Sequence, residues 1–525
     1  MARVIHGFAL LTTLALAADP LAGQNAGPGS PATPPPVGPG PGVTSSITVT
    51  NALDPDPGQP WVEITTAAIG PGEHASCRGG RLFFANSTKV LATTLQGSPE
   101  ALTENPWSPT YSETYPPYIV WDNQLLKLKN GTLLLMTLGG SWNDNVSPKP
   151  AWWDSTVEYP AKGTPLPGAR AVAWFFQSLD CGASWTQLST IDAATLVVPD
   201  PATGQPVKGF CGWPRLMVDA DNQKKSALGG WDASFAYADP YDESVYVTTS
   251  CAYGSARVND AHNATLLIRS TDHAASWTVI GSRSGFLGPR SPVFSLPGRT
   301  AFAQTIGSNV VLTTFDSNAS SVDITGGSQV TPYPGGLYSP DAKINANFLR
   351  YHGLAADLDA GSGFFISVHY FDEPHGTLRL FRVPKTGGAA TQVGNPIVAQ
   401  SIGGDLFHGT LVPGRSDDNL ALLYWVERVT SLPGQQNDPF LPENEFRVNF
   451  QIYRGTKALL AAPGELTVAG GTPYRYKYGA FIGDYMGGAA YLAQDGTRKF
   501  VAAWSESGKL RINTVSVAAS LLSTR

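Results

Sequence analysis

Charge is scarce in this chain. Only 14% of its 525 residues are Asp, Glu, Lys or Arg, against roughly a quarter in an ordinary soluble protein. The formal net charge of −6 builds no basic patch, so nucleic acid is not an expected partner. Helical periodicity is nearly missing, which argues against a helical bundle. Beyond the N-terminus no run is apolar and long enough to cross a bilayer as a helix. Cysteine is sparse too, at Cys77, Cys181, Cys211 and Cys251. None stands in C-x-x-C spacing, so a zinc site is not expected, nor any other metal or cofactor. Four cysteines suit disulfides in an oxidising compartment. They allow three pairings, and the sequence does not choose among them.

What the chain has in quantity is turn formers and aromatics: 56 Gly, 42 Pro, 13 Trp and 19 Tyr. That mix predicts an all-β fold of short strands and many turns. Residues 1–18 read as an export signal. Arg3 supplies the positive start, Phe8 to Ala18 the short apolar run, and Ala15-Leu16-Ala17 a small-x-small cleavage site. Residues 19–45, with PGSPATPPPVGPGPG, read as an extended linker. The folded domain is expected over 46–525, secreted or extracytoplasmic and monomeric, with no membrane insertion after signal cleavage. Asn86, Asn130, Asn145, Asn263 and Asn318 begin N-x-Ser/Thr sequons.

From Ser46 onward, strand-like runs recur between Gly, Pro, Asp and Asn turns. Six groups are legible, at about 118–188, 213–281, 291–340, 352–398, 408–468 and 484–517. RLMVDA is read as the first strand of the second group. The last group is a strand short, and ITVTN and WVEITTA near the N-terminus could complete it and close a ring. The expected fold is a six-bladed β-propeller of four-stranded antiparallel blades, with seven blades as the alternative.

Two groups share a fingerprint. Ser178-Leu179-Asp180-Cys181-Gly182-Ala183-Ser184-Trp185 and Ser270-Thr271-Asp272-His273-Ala274-Ala275-Ser276-Trp277 both read S-x-D-x-[GA]-x-S-W, each between two apolar strands. The Asp can accept backbone N–H bonds in a hairpin turn, the small fifth residue tolerates left-handed backbone, and the Trp can pack between sheets. The pattern resembles the Asp-box (BNR repeat) of sialidase-like propellers. A degenerate third copy is Lys385-Thr386-Gly387-Gly388. The segment Phe481-Ile482-Gly483-Asp484-Tyr485-Met486-Gly487-Gly488 is similar to the G-D-Y-x-G opening of a late blade in such proteins. Trp213-Pro214-Arg215-Leu216 with Val218-Asp219 resembles an inner-strand opening. The resemblance implies that Asp180 and Asp272 are fold residues, away from the ligand face.

It also implies a site at one end of the central channel, where innermost strands begin. In this chain those positions are Tyr118 or Trp121, Arg215, Arg290, His352, His408, and Asp484 with Tyr485. Apolar residues or Gly would be commoner in a purely structural ring. Each polar one also has a plain structural alternative: an arginine paired with a neighbouring carboxylate, a hydrogen-bonded core histidine, a rim residue bonded to backbone. His369 and His375 are weaker candidates. A sialidase-like exo-glycoside hydrolase would clamp a substrate carboxylate with three arginines, for which Arg215, Arg290 and Arg447 are the candidates. Tyr485 would be the nucleophile, activated by Glu427, Glu443 or Glu445, with Asp484, His352 and His408 as further catalytic candidates and Trp213 against the sugar. Asp144 is a candidate acid. The chain departs from sialidases in lacking an F/Y-R-I-P motif. Two other classes fit the same residues. A uronate polysaccharide lyase would use an Arg to neutralise the carboxylate, a His as base and Tyr485 as acid. A non-catalytic carbohydrate-binding propeller would stack sugars on Trp142, Trp152, Trp153, Trp213 and Trp231. In every case the partner is a carbohydrate or glycoconjugate.

Overall fold

The computed structural model describes residues 47–49, 64–86, 89–104, 118–141, 171–193, 195–208, 215–218, 225–228, 231–253, 262–285, 291–306, 309–332, 353–357, 363–372, 375–400, 405–414, 420–429, 445–468, 472–473, 476–477, 486–506 and 509–522. The signal and linker expectations lie outside them.

Among the described residues, seven antiparallel sheets of four or more strands are present. Their innermost strands, in chain order, are β1 (Thr65–Ile69), β2 (Tyr118–Lys127), β3 (Trp231–Ala238), β4 (Val293–Leu296), β5 (Gly353–Asp357), β6 (Asp405–Pro413) and β7 (Gly487–Leu492). Each touches the next, and β7 touches β1. That cyclic contact makes the sheets blades of a closed ring. The fold is a seven-bladed β-propeller, the larger of the two expected counts.

The added blade is the first. Thr65–Ile69, which overlaps the WVEITTA run expected to help finish the last sheet, instead begins a blade of its own with Arg81–Ala85, Lys89–Thr93 and Pro99–Glu104. These strands are only five or six residues long, which hid them among the turn residues. ITVTN does what was expected. Ile47–Val49 pairs antiparallel with Lys509–Val517, Ile47 opposite Val517, and supplies the outer strand of blade 7. A second correction concerns RLMVDA. Arg215–Val218 pairs with Lys225–Leu228 in a separate two-stranded hairpin, and blade 3 begins at Trp231. The sequence WDASFAYA is rich in small residues and interrupted by a bulge between Asp232 and Phe235, so its alternation was weak.

The core lies between blades rather than at the centre. Leu420–Arg428, the second strand of blade 6, is buried along its whole length, because blades 5 and 7 cover its two faces. Ala421, Leu423 and Trp425 join a cluster with Phe365 and Leu378 of blade 5. Leu420, Leu422 and Tyr424 join another with Phe500 and Trp504 of blade 7. Such strands read as continuous apolar runs because neither face meets water.

The two S-x-D-x-[GA]-x-S-W turns have one geometry. Ser178 Oγ donates to Asp180 Oδ1 at 2.9 Å, the Ser184 amide donates to Asp180 Oδ1 at 2.8 Å, and the Gly182 amide donates to Ser178 Oγ at 2.7 Å. The matching bonds in the second turn are 2.7 Å, 2.8 Å and 2.8 Å. Cys181 and Gly182 have φ of +62° and +78°, and His273 and Ala274 have +58° and +71°. The Asp carboxylate therefore replaces backbone partners that a left-handed turn leaves unpaired. Each Trp packs toward the preceding blade. Trp185 lies against the cluster shared by blades 1 and 2. Trp277 stacks on Phe175 at 4.3 Å and donates to Ser189 Oγ at 3.0 Å. Gly387 and Gly388, in the degenerate copy, sit at the same third-to-fourth turn of blade 5 with φ of +84° and +120°. A disulfide joins Cys77 of blade 1 to Cys181 in the first turn, and Cys251 is also disulfide-bonded.

Candidate functional site at the channel mouth

Direction of chain decides which residues share a face. In a four-stranded antiparallel blade, the first-to-second and third-to-fourth turns lie at one end. The second-to-third loops and the connections into the next innermost strand lie at the other. The two Asp-containing turns are third-to-fourth turns and belong to the first end. The beginnings of β1 to β7 all belong to the second.

Several sequence candidates fall outside the described residues. Arg290, His352, and Asp484 with Tyr485 lie outside the described residues, in the segments leading into β4, β5 and β7. Trp213 is also outside them. His408 is on β6 itself. Tyr118 and Trp121 are on β2, and Trp231 opens β3. His369 and His375 bracket the second-to-third loop of blade 5, where Asp372 pairs with His375. Glu443, Asp144, Trp142, Trp152 and Trp153 lie outside the described residues.

The backbone of Arg215 is brought near the start of β3 by a route the sequence did not show. Its hairpin register sets it opposite Leu228, three residues before β3 begins at Trp231. The ladder thus returns Arg215 beside the chain that opens β3. The hairpin also contacts Leu133–Ser141, the second strand of blade 2.

Arg447, the third clamp candidate, pairs with carboxylates of its own blade. It lies on Glu445–Arg454, the third strand of blade 6, in register with Glu427. Its Nη2 donates to Glu427 Oε1 at 2.7 Å and to Gln400 Oε1 at 3.3 Å, and its Nη1 donates to Glu465 Oε1. Asn449 Nδ2 donates to the other oxygen of Glu427. Glu427 is 0% exposed and Arg447 7%. One guanidinium thus already holds two resident carboxylates, and Glu427 is bound up with it. Glu445, which opens the same strand, pairs in register with Lys477. The cluster sits near the loop end of blade 6 and ties together its second and third strands, the Gly464–Glu465 segment, and the connection from blade 5.

Titration at the opposite end follows the turns. Burial alone would raise the Asp180 carboxyl. Hydrogen bonds from Ser184 and Ser178 outweigh it and hold the group below its ordinary value. Asp272 behaves the same way, with Ser276 and Ser270 as donors. Both are therefore stable anions in structural turns. Among the described residues no group of three or more His, Cys, Asp or Glu could hold a metal ion.

No protein-family model matches the chain, and no curated protein matches it. Among solved structures it is similar to a Hadza microbial sialidase, Hz136, at 10% identity and a TM-score of 0.38, covering 87% of this chain and 66% of that one. It is similar to Trypanosoma rangeli sialidase in complex with sialic acid at 8% identity and 0.37, covering 92% and 60%. A PL25 ulvan lyase bound to a GlcA–Rha3S repeat is similar at 9% identity and 0.41, covering 87% and 93%. The chain spans about two thirds or less of the length of those sialidases.

Proposed function

We propose that this chain is an exported enzyme that cleaves anionic extracellular glycans at the channel mouth, acting first as a sialidase-like exo-glycoside hydrolase. One observation carries the reading: a closed ring brings the openings of seven strands to one end, and arginine, histidine, aspartate and tyrosine concentrate there in the sequence. Arg215 and Arg290 would hold the substrate carboxylate through paired hydrogen bonds. Tyr485 would attack the anomeric carbon, as in glycosidases that replace the usual carboxylate nucleophile with Tyr. His352, His408 and Asp484 would move protons. Trp213 would lie against the sugar. Export is supported by the N-terminal pattern and by the Cys77–Cys181 disulfide.

The pairing of Arg447 with two carboxylates of its own blade favours a second reading. A uronate lyase needs a single carboxylate neutraliser beside a His base and a Tyr acid. Product chemistry separates the readings. The protein is incubated in parallel with sialosides and with uronate polymers. Free sialic acid supports hydrolysis. A new ultraviolet band from an unsaturated uronate supports elimination. Retained glycan binding with no product in either arm supports a binding propeller and rejects both enzymatic readings.

A further inference from the structure

The count of sulfurs identifies a partner for Cys251. This cysteine is disulfide-bonded and only 1% exposed. A sulfur buried inside a blade cannot reach a second molecule, so the bond lies within the chain. The sequence holds four cysteines, and Cys77 is bonded to Cys181. Only Cys211 is left. Cys211 is outside the described residues, so the pairing rests on the bonded state and burial of Cys251.

Cys251 stands on Val245–Tyr253, the second strand of blade 3. That strand runs toward the second-to-third loop, which puts Cys251 near the channel-mouth end of its blade. In register it faces Trp231, the first residue of β3, on one side and Ala264 on the other. The chain between blades 2 and 3 is an insertion ahead of that point. It first forms a hairpin of Val197–Pro199 with Pro206–Lys208. This hairpin docks on Thr278–Ser284, the outer strand of blade 3, where Ser282 Oγ donates to the Pro199 carbonyl. The chain then passes Cys211 and forms the hairpin of Arg215–Val218 with Lys225–Leu228. Its outgoing leg continues directly into Trp231. A Cys211–Cys251 bond closes this second hairpin at its base. The outgoing leg is held by Trp231 opposite Cys251, and the incoming leg by the Cys251 sulfur itself. The bond moves the last fixed point ahead of Arg215 from Lys208 to Cys211.

We propose that Cys211–Cys251 is a positioning disulfide that pins the inserted hairpin to the mouth end of blade 3 and sets where the Arg215 backbone stands. The role for Arg215 rests on the reading above, in which it holds a substrate carboxylate. Arginine recognises a carboxylate through two parallel hydrogen bonds, which demand a fixed guanidinium plane. A hairpin free at one foot would have to be ordered when substrate binds, and that ordering is taken from affinity. The two disulfides thus have separate tasks. Cys77–Cys181 joins blades 1 and 2 at the end that carries the Asp-containing turns, and Cys211–Cys251 acts at the other end.

Two measurements test this. A peptide map of the full chain under non-reducing conditions is expected to show Cys211 linked to Cys251 and Cys77 linked to Cys181. A free Cys211 thiol, or Cys211 linked to another cysteine, overturns the proposal whether or not the protein cleaves glycans. The second measurement compares Cys211→Ser with Cys251→Ser, made together, against Cys77→Ser with Cys181→Ser, on whichever of the sialosides or uronate polymers the wild type cleaves. The first variant is expected to raise KM about 10-fold or more, the weight of one charge-assisted contact, with kcat unchanged. The second is expected to lose stability and keep the wild-type KM. The same KM in both variants overturns the positioning role and leaves the glycan reading standing. A wild type that cleaves neither substrate class removes the glycan reading and the role of Arg215 with it, while the pairing is still decided by the peptide map.

Discussion

The Arg447 guanidinium lies between two buried carboxylates, Glu427 and Glu465, a pairing for which arginine is well suited. Removing one partner of a buried pair leaves the other charge uncompensated, at a cost of about 3–5 kcal/mol, whereas replacing the pair with apolar groups can be neutral. Arg447→Met is therefore expected to lower stability by that amount in urea unfolding. The triple change Arg447→Met, Glu427→Met and Glu465→Met should recover a large part of it. A triple variant as unstable as the single one would mean the cluster does not act as an ionic unit. Nothing in the local sequence separated Arg447 from Arg215, since both stand near strand openings. The difference is set by Glu427 and Glu465, 20 and 18 residues away, and is visible only once the strands are in register.

At the scale of elements, the paired turns were legible because their function is local. The serine–aspartate and serine–amide hydrogen bonds that define them lie within the eight-residue motif. Asp180 and Asp272 have carboxyls held below their ordinary value by Ser donors. Their stabilisation is present above the unfolded-state value and is lost as pH falls through the lowered native value. Ser184→Ala with Ser276→Ala should therefore unfold at a lower temperature than wild type near pH 6, with the gap narrowing as the solution is acidified below pH ~3.9, the unperturbed Asp value. A gap that is constant with pH would place the serines' contribution elsewhere. The fourth motif position faces outward to neighbours and differs between copies. Cys181 makes a disulfide to blade 1. His273 Nε2 lies 3.3 Å from Glu243 Oε2, and Glu243 Oε1 accepts from the Asn130 amide of blade 2 at 3.2 Å. The same turn thus joins blades covalently once and through polar contacts the second time. The bulges in β2, β3 and β6 left no comparable mark, because a bulge is defined by the partner strand as much as by its own residues.

Across the whole molecule, two devices keep the ring closed. Ile47–Val49 completes blade 7 from the opposite end of the chain, and Cys77–Cys181 locks blade 1 to blade 2 over a sequence separation of 104. A loop of about that size contributes about 4–5 kcal/mol through the restricted unfolded chain. Cys77→Ser with Cys181→Ser should be less stable by about that amount in urea unfolding with the remaining cysteines oxidised. A loss below 1 kcal/mol would show that the blade 1–2 core alone holds the joint. A separate check is Trp504→Ala. The ring is fully buried in the blade 6–7 cluster, and its removal should cost about 3–5 kcal/mol, measured in the same way. The all-β class, the repeating blades and the two motif turns followed from the sequence alone, because composition, strand runs and turn chemistry act over a few residues. Blade count, the placement of Arg215 on an inserted hairpin and the ion pairing of Arg447 were decided by the tertiary structure. Each depends on which distant strand becomes a neighbour, and that is settled only when the ring closes.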